Sequence, residues 1–178
     1  MANIERFKQE YQKYKSTFKT VSFDSDNGIY LCYDETQEVI DFDSIVETKF
    51  PDSNIRPKSF DAIYIYNKLI FCIEFKNQKP SDINNSEVQG KLVDGKDELI
   101  KIFQKLNIQK DDYIFVYCVV YKICKEPISR YKCGIDKNKI LFGLDSYKKS
   151  GFVKEIYTQN VNFFTKEFKK HFRKELMC

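Results

Sequence analysis

Apolar positions along this chain fall into separated patterns, and each pattern predicts an element. Ile4, Phe7, Tyr11 and Tyr14 recur at steps of three and four, which predicts an amphipathic helix over roughly the first 16 residues. Short β-rich runs at 21–23, 29–33 and 38–42 follow, divided by the turn residues Ser25-Asp26-Asn27-Gly28 and by 34–37. Residues 43–50 read as a short helix or as a continuation of the strand before them, and Pro51 and Pro57 break the pattern. Two further β-rich runs, 61–66 (DAIYIY) and 69–76 (LIFCIEFK), are separated only by Asn67-Lys68. Asn tolerates the positive φ that a two-residue hairpin turn requires, so the pair predicts a hairpin.

Beyond Pro80, Ser86 is the expected N-cap of a long helix whose apolar face is Val88, Leu92, Leu99, Ile102, Phe103 and Leu106. Gly90 and Gly95 weaken that helix without ending it. Residues 113–121 (YIFVYCVVY) are an unbroken apolar or aromatic run, the signature of a strand buried on both faces. A further strand is expected at 140–144 (ILFGL), and Val161, Phe164, Phe168 and Phe172 mark the inner face of a terminal helix. This order predicts an α/β fold, a mixed central β-sheet flanked by helices. Its core is expected at about 43–121, with a helix and strands over 1–42 and a C-terminal extension over 122–178.

At 178 residues the chain suits one domain, and 42% apolar residues suffice for a core. No apolar run approaches a membrane span, and the charged start MANIERFKQEYQKYK is unlike a secretory signal, so a cytoplasmic protein is expected. The six cysteines, with no C-x-x-C spacing and several inside apolar runs, are expected to be reduced and mostly buried. A zinc site from Cys118, Cys124, Cys133 and His171 is conceivable, although its spacing matches no finger. Charge is uneven: residues 24–52 hold nine acids and one lysine, whereas residues 1–20 and 160–178 each hold five Lys/Arg against two acids. Basic ends around an acidic middle suggest a polyanionic ligand or ordinary solvated helix faces.

The hairpin carries the chemistry. With Asn67-Lys68 as the turn, paired residues sum to 135, so Asp61 stands opposite Glu74 in a non-hydrogen-bonded pair, where Cα atoms lie about 4.5 Å apart. Lys76 shares their face, two residues beyond Glu74. Facing carboxylates repel, and a divalent cation with hard oxygen ligands, Mg²⁺ or Mn²⁺, relieves the repulsion. An adjacent lysine can orient a water or stabilise charge developing on phosphorus, so the trio suits phosphodiester hydrolysis. Glu-x-Lys alone is common in such a chain, and Glu47-Thr48-Lys49 is a second instance. The apolar run into Glu74, the facing Asp61 and the polar stop at Asn77-Gln78-Lys79 single out the first.

The stretch KSFDAIYIYNKLIFCIEFKN, residues 58–77, resembles the PD-(D/E)XK nuclease superfamily, the restriction-endonuclease-like fold. The resemblance implies that Asp61 and Glu74 bind Mg²⁺ and that Lys76 assists the attacking water. Phe60 stands where the motif's proline would be; the literal Pro51-Asp52 lies in a loop that the hairpin cannot bring opposite Glu74. Some members add a glutamate from the preceding helix, for which Glu47 is the candidate with Glu38 behind it, and some carry a Gln on the following helix, where Gln89 sits. Val93 replaces the Tyr of a Gln-x-x-x-Tyr motif. Lys79, Lys91, Lys169, Lys170 and Arg173 are the expected nucleic-acid contacts. The expected activity is a Mg²⁺-dependent DNA endonuclease, dimeric if it cuts two strands. The alternatives are an RNA-cleaving toxin or defence nuclease with the same site, and a catalytically silent nucleic-acid-binding module of the same fold.

Overall fold

The computed structural model describes residues 2–123 and 139–178. In chain order the first elements are α1 (Ala2–Glu10), β1 (Lys15–Thr17), α2 (Phe18–Val21), β2 (Phe23–Asp24), β3 (Ile29–Tyr30), β4 (Glu38–Asp41) and α3 (Phe42–Lys49). The hairpin β5 (Ala62–Tyr66) and β6 (Leu69–Lys76) follows, then α4 (Asn85–Lys105), β7 (Ile114–Tyr121), α5 (Asp145–Lys149), β8 (Glu155–Asn160) and α6 (Val161–Phe172). Six strands form one mixed sheet in the order β1-β4-β5-β6-β7-β8, and β2 and β3 pair separately. The β1–β4–β5–β6 neighbours are antiparallel, whereas β6, β7 and β8 run parallel, so α4 carries the chain back across the sheet between β6 and β7.

Alternation along the strands divides the core in two. Ile63, Ile70, Cys72 and Tyr117 pack with Phe7 of α1, Phe42 and Ile45 of α3, and Leu92, Leu99 and Phe103 of α4. Tyr64, Phe71, Ile73, Val116 and Cys118 pack on the other face with Phe18 of α2 and Phe164, Phe168 and Phe172 of α6. The helix starts are fixed by side-chain caps, which satisfy otherwise orphaned backbone N–H groups. Asp41 accepts from Ser44 N at 2.9 Å, Asn84 from Ser86 N at 2.9 Å, and Asn160 from Phe163 N at 3.2 Å.

The mixed α/β architecture and the hairpin register agree with expectation, since Ala62 pairs with Ile73 and Tyr66 with Leu69. Asn67 takes the positive φ, 54°, that the turn demands. Several details differ. The N-cap of α4 is Asn84 rather than Ser86, and the first helix stops at Glu10 before a 3₁₀ turn and β1. Residues 140–144 are not a strand: Phe142 and Gly143 have φ of 61° and 67°, which no strand accepts, and the run forms a turn into α5. The strand beside β7 is the more polar β8. The expected core span 43–121 holds only two antiparallel strands; the third, β4, precedes α3.

The thiol expectation also changes. Cys72 and Cys118 are free and buried, but Cys32 and Cys178 form a disulfide that ties the β3–β4 connection to the C-terminal segment. Cys124 and Cys133 lie outside the described residues. No described helix is long and apolar enough to cross a membrane.

Candidate metal centre

Sheet topology puts the carboxyl ends of β6, β7 and β8 together, the end of an open α/β sheet where ligands usually bind. Asp61 lies at this end, one step before β5. It has left the backbone ladder: its Oδ2 accepts from Phe75 N at 2.6 Å, and its carbonyl oxygen accepts from Phe42 N at 3.0 Å. These two bonds hold its carboxylate against the end of β6. Glu74, beside it, is fully buried.

Two lysines meet these acids. Lys76 Nζ lies 3.1 Å from Glu74 Oε1 and 2.5 Å from Glu87 Oε1, so β6 and α4 are tied at the site. Lys91 Nζ lies 2.8 Å from Glu74 Oε1, 3.0 Å from Glu74 Oε2 and 3.4 Å from Asp61 Oδ1. Its ammonium therefore bridges the two carboxylates, the position a shared cation would take. Asp43, in the first turn of α3, accepts from Ser59 Oγ and also acts electrostatically on Asp61 and Lys91.

Four acids (Asp43, Asp61, Glu74, Glu87) against two lysines leave a formal charge of −2 when all are ionised. Burial is the main cause that pushes the Glu74 carboxyl up, to about 8, and the charge of Asp61 adds to it; Lys91 and Lys76 oppose the rise. Burial likewise raises Asp61, against the pull of Lys91 and of the Phe75 N–H bond, with Asp43 pushing the same way as burial. For both lysines burial works against the charged form, but it is outweighed by the carboxylates, so Lys76 and Lys91 stay above the ordinary lysine value.

A cleft of about 320 Å³ opens onto Asp61, Lys76 and Glu87. Its opposite wall is the β2–β3 hairpin, whose Asp24 accepts from Asn77 Nδ2 at 3.1 Å. The hairpin is thereby fastened to the end of β6, and Asp26 and Asn27 line the same cleft.

The donor set fits a hard divalent ion on one observation. Glu74 Oε1 is a buried oxygen that accepts no hydrogen bond; the two ammonium groups are close enough for attraction but are not aligned on its lone pairs. Asn77 Oδ1, three residues on, is also unsatisfied. No described group of three or more His, Cys, Asp or Glu side chains is arranged as a metal site, and Asp61 and Glu74 are the two carboxylates here that could share an ion. Mg²⁺ commonly takes only one or two carboxylates and completes its shell with water and phosphate oxygens.

The other predicted site residues are distributed differently. Glu47 is held by Arg56, and the acid of α3 that acts on Asp61 is Asp43, one helical turn earlier. Glu38 pairs with Lys15 at 3.2 Å, on the far side of the β4–β5 pairing. Gln89 donates to Phe142 O at 2.8 Å and fastens the 140–144 turn to α4. Lys91, expected as a nucleic-acid contact, has its ammonium between Glu74 and Asp61. Lys79 follows the end of β6. Lys169, Lys170 and Arg173 lie at the other end of the sheet and in the other helical layer, where Phe172 packs on Tyr64, Tyr66 and Phe71. Lys169 pairs there with Glu175, and Lys170 lies 3.5 Å from Glu167. His171 contacts Tyr157 and Glu167, and gathers no zinc set among the described residues.

The sequence pointed to Lys91 only as a nucleic-acid contact, not as a partner of Asp61 and Glu74, and gave no sign of Asp43 or Asp24. The signal for Lys91 was its phase: Val88, Lys91, Leu92 and Gly95 share one helix face, so a lysine there points at the sheet. Comparison with protein-family models, curated proteins and solved structures found no match for this chain.

Proposed function

We propose that this chain is a divalent-metal-dependent nuclease of the PD-(D/E)XK kind, with DNA as its substrate. The observation that carries the reading is the convergence of Asp61 and Glu74, from adjacent antiparallel strands, with Lys76 beside them at the mouth of an open cleft. The antiparallel run β4, β5, β6, followed by α4 and the parallel strand β7, supports the reading, because the superfamily plan is a helix, a three-stranded meander, a helix and a strand; here β1, α2, β2 and β3 separate α1 from β4, and α3 stands between β4 and β5. Phosphodiester hydrolysis needs a nucleophile made from water, charge stabilisation at phosphorus and a proton for the leaving oxygen.

Asp61 and Glu74 would hold Mg²⁺ or Mn²⁺. Such an ion supplies positive charge for the transition state and acidifies water. The Lys76 ammonium, anchored between Glu74 and Glu87, orients the attacking water and offsets the negative charge that grows on the phosphoryl oxygens. Lys91, which now pairs with both carboxylates, would have to give up those contacts for a cation to be held there. The Asp24–Asn77 contact fixes the outer wall against which the strand lies.

One observation favours a second reading. Lys91 already pairs with both carboxylates, so Lys91, Asp61 and Glu74 can serve as an ion network in a module that binds nucleic acid without cutting it. Incubation of the purified chain with plasmid DNA and, in parallel, with total RNA, each with Mg²⁺, Mn²⁺ or EDTA, tests both readings. The nuclease reading expects metal-dependent cleavage of DNA that EDTA stops and that Asp61→Ala or Glu74→Ala abolishes. Cleavage of RNA alone moves the substrate to RNA. Binding without cleavage supports the silent module, and undiminished cutting by Glu74→Ala rejects the site.

A further inference from the structure

A second concave surface lies at the opposite end of the parallel strands. It is a pocket of about 590 Å³ walled by the start of β7, the start of β8, the α5–β8 connection and Lys96 of α4. Five residue steps along β7, at roughly 3.3 Å each, separate Ile114 at this end from Val119, the register partner of Glu74. The two sites are therefore physically separate.

The lining is strongly basic. Lys96, Lys110, Lys148, Lys149 and Lys154 face only Asp111 and Glu155. Two of these lysines are neutralised locally, Lys148 by Glu155 at 2.6 Å and Lys149 by Asp145 at 2.7 Å. No described carboxylate forms an ion pair with Lys96, Lys110 or Lys154. Lys96 is the most telling. It is half-buried, donates to the carbonyl oxygen of Phe152 and stands 4.1 Å from the centroid of the Phe152 ring and 5.2 Å from that of Phe115. Burial holds its ammonium below the ordinary lysine value. A desolvated ammonium without a counter-charge is costly unless an anion visits it.

The remaining wall is apolar. Tyr113, Ile114 and Phe152 line it, and Ile114 keeps 41% of its surface exposed. Lysines bind phosphate as point charges, and aromatic rings accept a nucleobase by stacking, for about 1–3 kcal/mol per base. The volume lies within the range of small-molecule sites.

We propose that this pocket binds a nucleoside phosphate: Lys96, Lys110 and Lys154 hold the phosphate groups, and the Tyr113–Ile114–Phe152 wall receives the base. The shared chemistry can come from a free nucleotide or from a nucleotide within a strand. The site does not depend on the carboxylate centre or on the nuclease reading.

The test is isothermal titration of the full chain, in EDTA so that the carboxylate centre plays no part. The probes are ADP, inorganic phosphate and a short 5′-phosphorylated oligonucleotide. The variants are Lys110→Glu/Lys154→Glu, which changes exposed side chains only, and Tyr113→Ala, with circular dichroism and melting as fold controls. Saturable ADP binding that weakens at least about tenfold in the lysine variant supports the proposal, as does a Tyr113→Ala loss for ADP without loss for phosphate. Saturable oligonucleotide binding with the same variant pattern supports it with the strand as the source. The proposal is overturned if neither ADP nor the oligonucleotide binds saturably, if the lysine variant binds as tightly as wild type, or if inorganic phosphate binds as well as ADP.

Discussion

Replacing Lys91 with Met removes the ammonium that bridges Asp61 and Glu74 while keeping the length and packing of the side chain. Glu74 is fully buried and loses the contacts at 2.8 and 3.0 Å, and Asp61 loses the one at 3.4 Å. Breaking a buried ion pair by deleting one partner costs ~3–5 kcal/mol. Lys76 stays 3.1 Å from Glu74 and softens the loss, which places the estimate near the lower figure, about 3 kcal/mol. For a chain of this size that corresponds to a fall in melting temperature of about 6–12 °C. The assay is calorimetric melting near pH 8 and near pH 5, each with EDTA and with excess Mg²⁺. Near pH 5 a protonated Glu74 no longer needs the ammonium, so the loss shrinks. With Mg²⁺ near pH 8 the variant regains stability and gains more from the ion than wild type does, because no ammonium competes for the carboxylates. A variant that melts like wild type, or whose deficit is the same at both pH values and untouched by Mg²⁺, would refute the bridging arrangement.

Other outcomes follow from the same geometry. Because Glu74 is raised to about 8 in the folded chain against ~4.3 in an unfolded one, the folded state keeps a proton that the unfolded state has lost between those values. Metal-free stability therefore falls as pH rises through that window, by at most ~1.4 kcal/mol per unit, and excess Mg²⁺ flattens the slope; denaturant titrations at several pH values measure both. Gln89→Ala loses the bond to Phe142 O, costs about 1 kcal/mol by denaturant melting, and leaves metal binding intact. Lys169→Glu/Lys170→Glu, in the helical layer away from the carboxylates, leaves Mg²⁺ binding intact in a calorimetric titration, since these lysines pair with Glu175 and Glu167 and not with Asp61 or Glu74.

Local pattern fixed the parts of this fold that local pattern controls. The β5–β6 register was legible because a two-residue turn with Asn67 at positive φ leaves one pairing, and that pairing places Asp61 by Glu74. The buried β7 was legible because its apolar run is unbroken. Its neighbour β8 was not, because EIYTQN buries Thr158 and Gln159 and lacks an apolar run, whereas ILFGL has the run but is turned by Phe142 and Gly143. At Gly143 the φ of 67° favours glycine, and a Cβ would come 2.7 Å from Gln89 Nε2, which would have to shift.

Half of the centre was legible and half was not, for the same physical reason. Asp61, Glu74 and Lys76 lie on one hairpin, so strand periodicity alone brings them together. Lys91, Asp43 and Asp24 arrive from α4, α3 and the β2–β3 hairpin, whose docking is set by tertiary packing. The basic terminal helix illustrates the converse. Its charge pattern suggested a nucleic-acid contact but not its position: Phe164, Phe168 and Phe172 seat it on the other face of the sheet, with its basic end away from the carboxylates. The Cys32–Cys178 pair joins positions far apart in the chain, which spacing could not reveal.

The most direct measurement is a calorimetric titration of Mn²⁺ and Mg²⁺ into the metal-free chain and into Asp61→Asn and Glu74→Gln, with folding of each verified by circular dichroism. The account predicts saturable binding by the wild-type chain, with protons released as Glu74 ionises, and loss of that binding in both variants. Equal binding by all three proteins, or none by the wild type at any concentration, would contradict it.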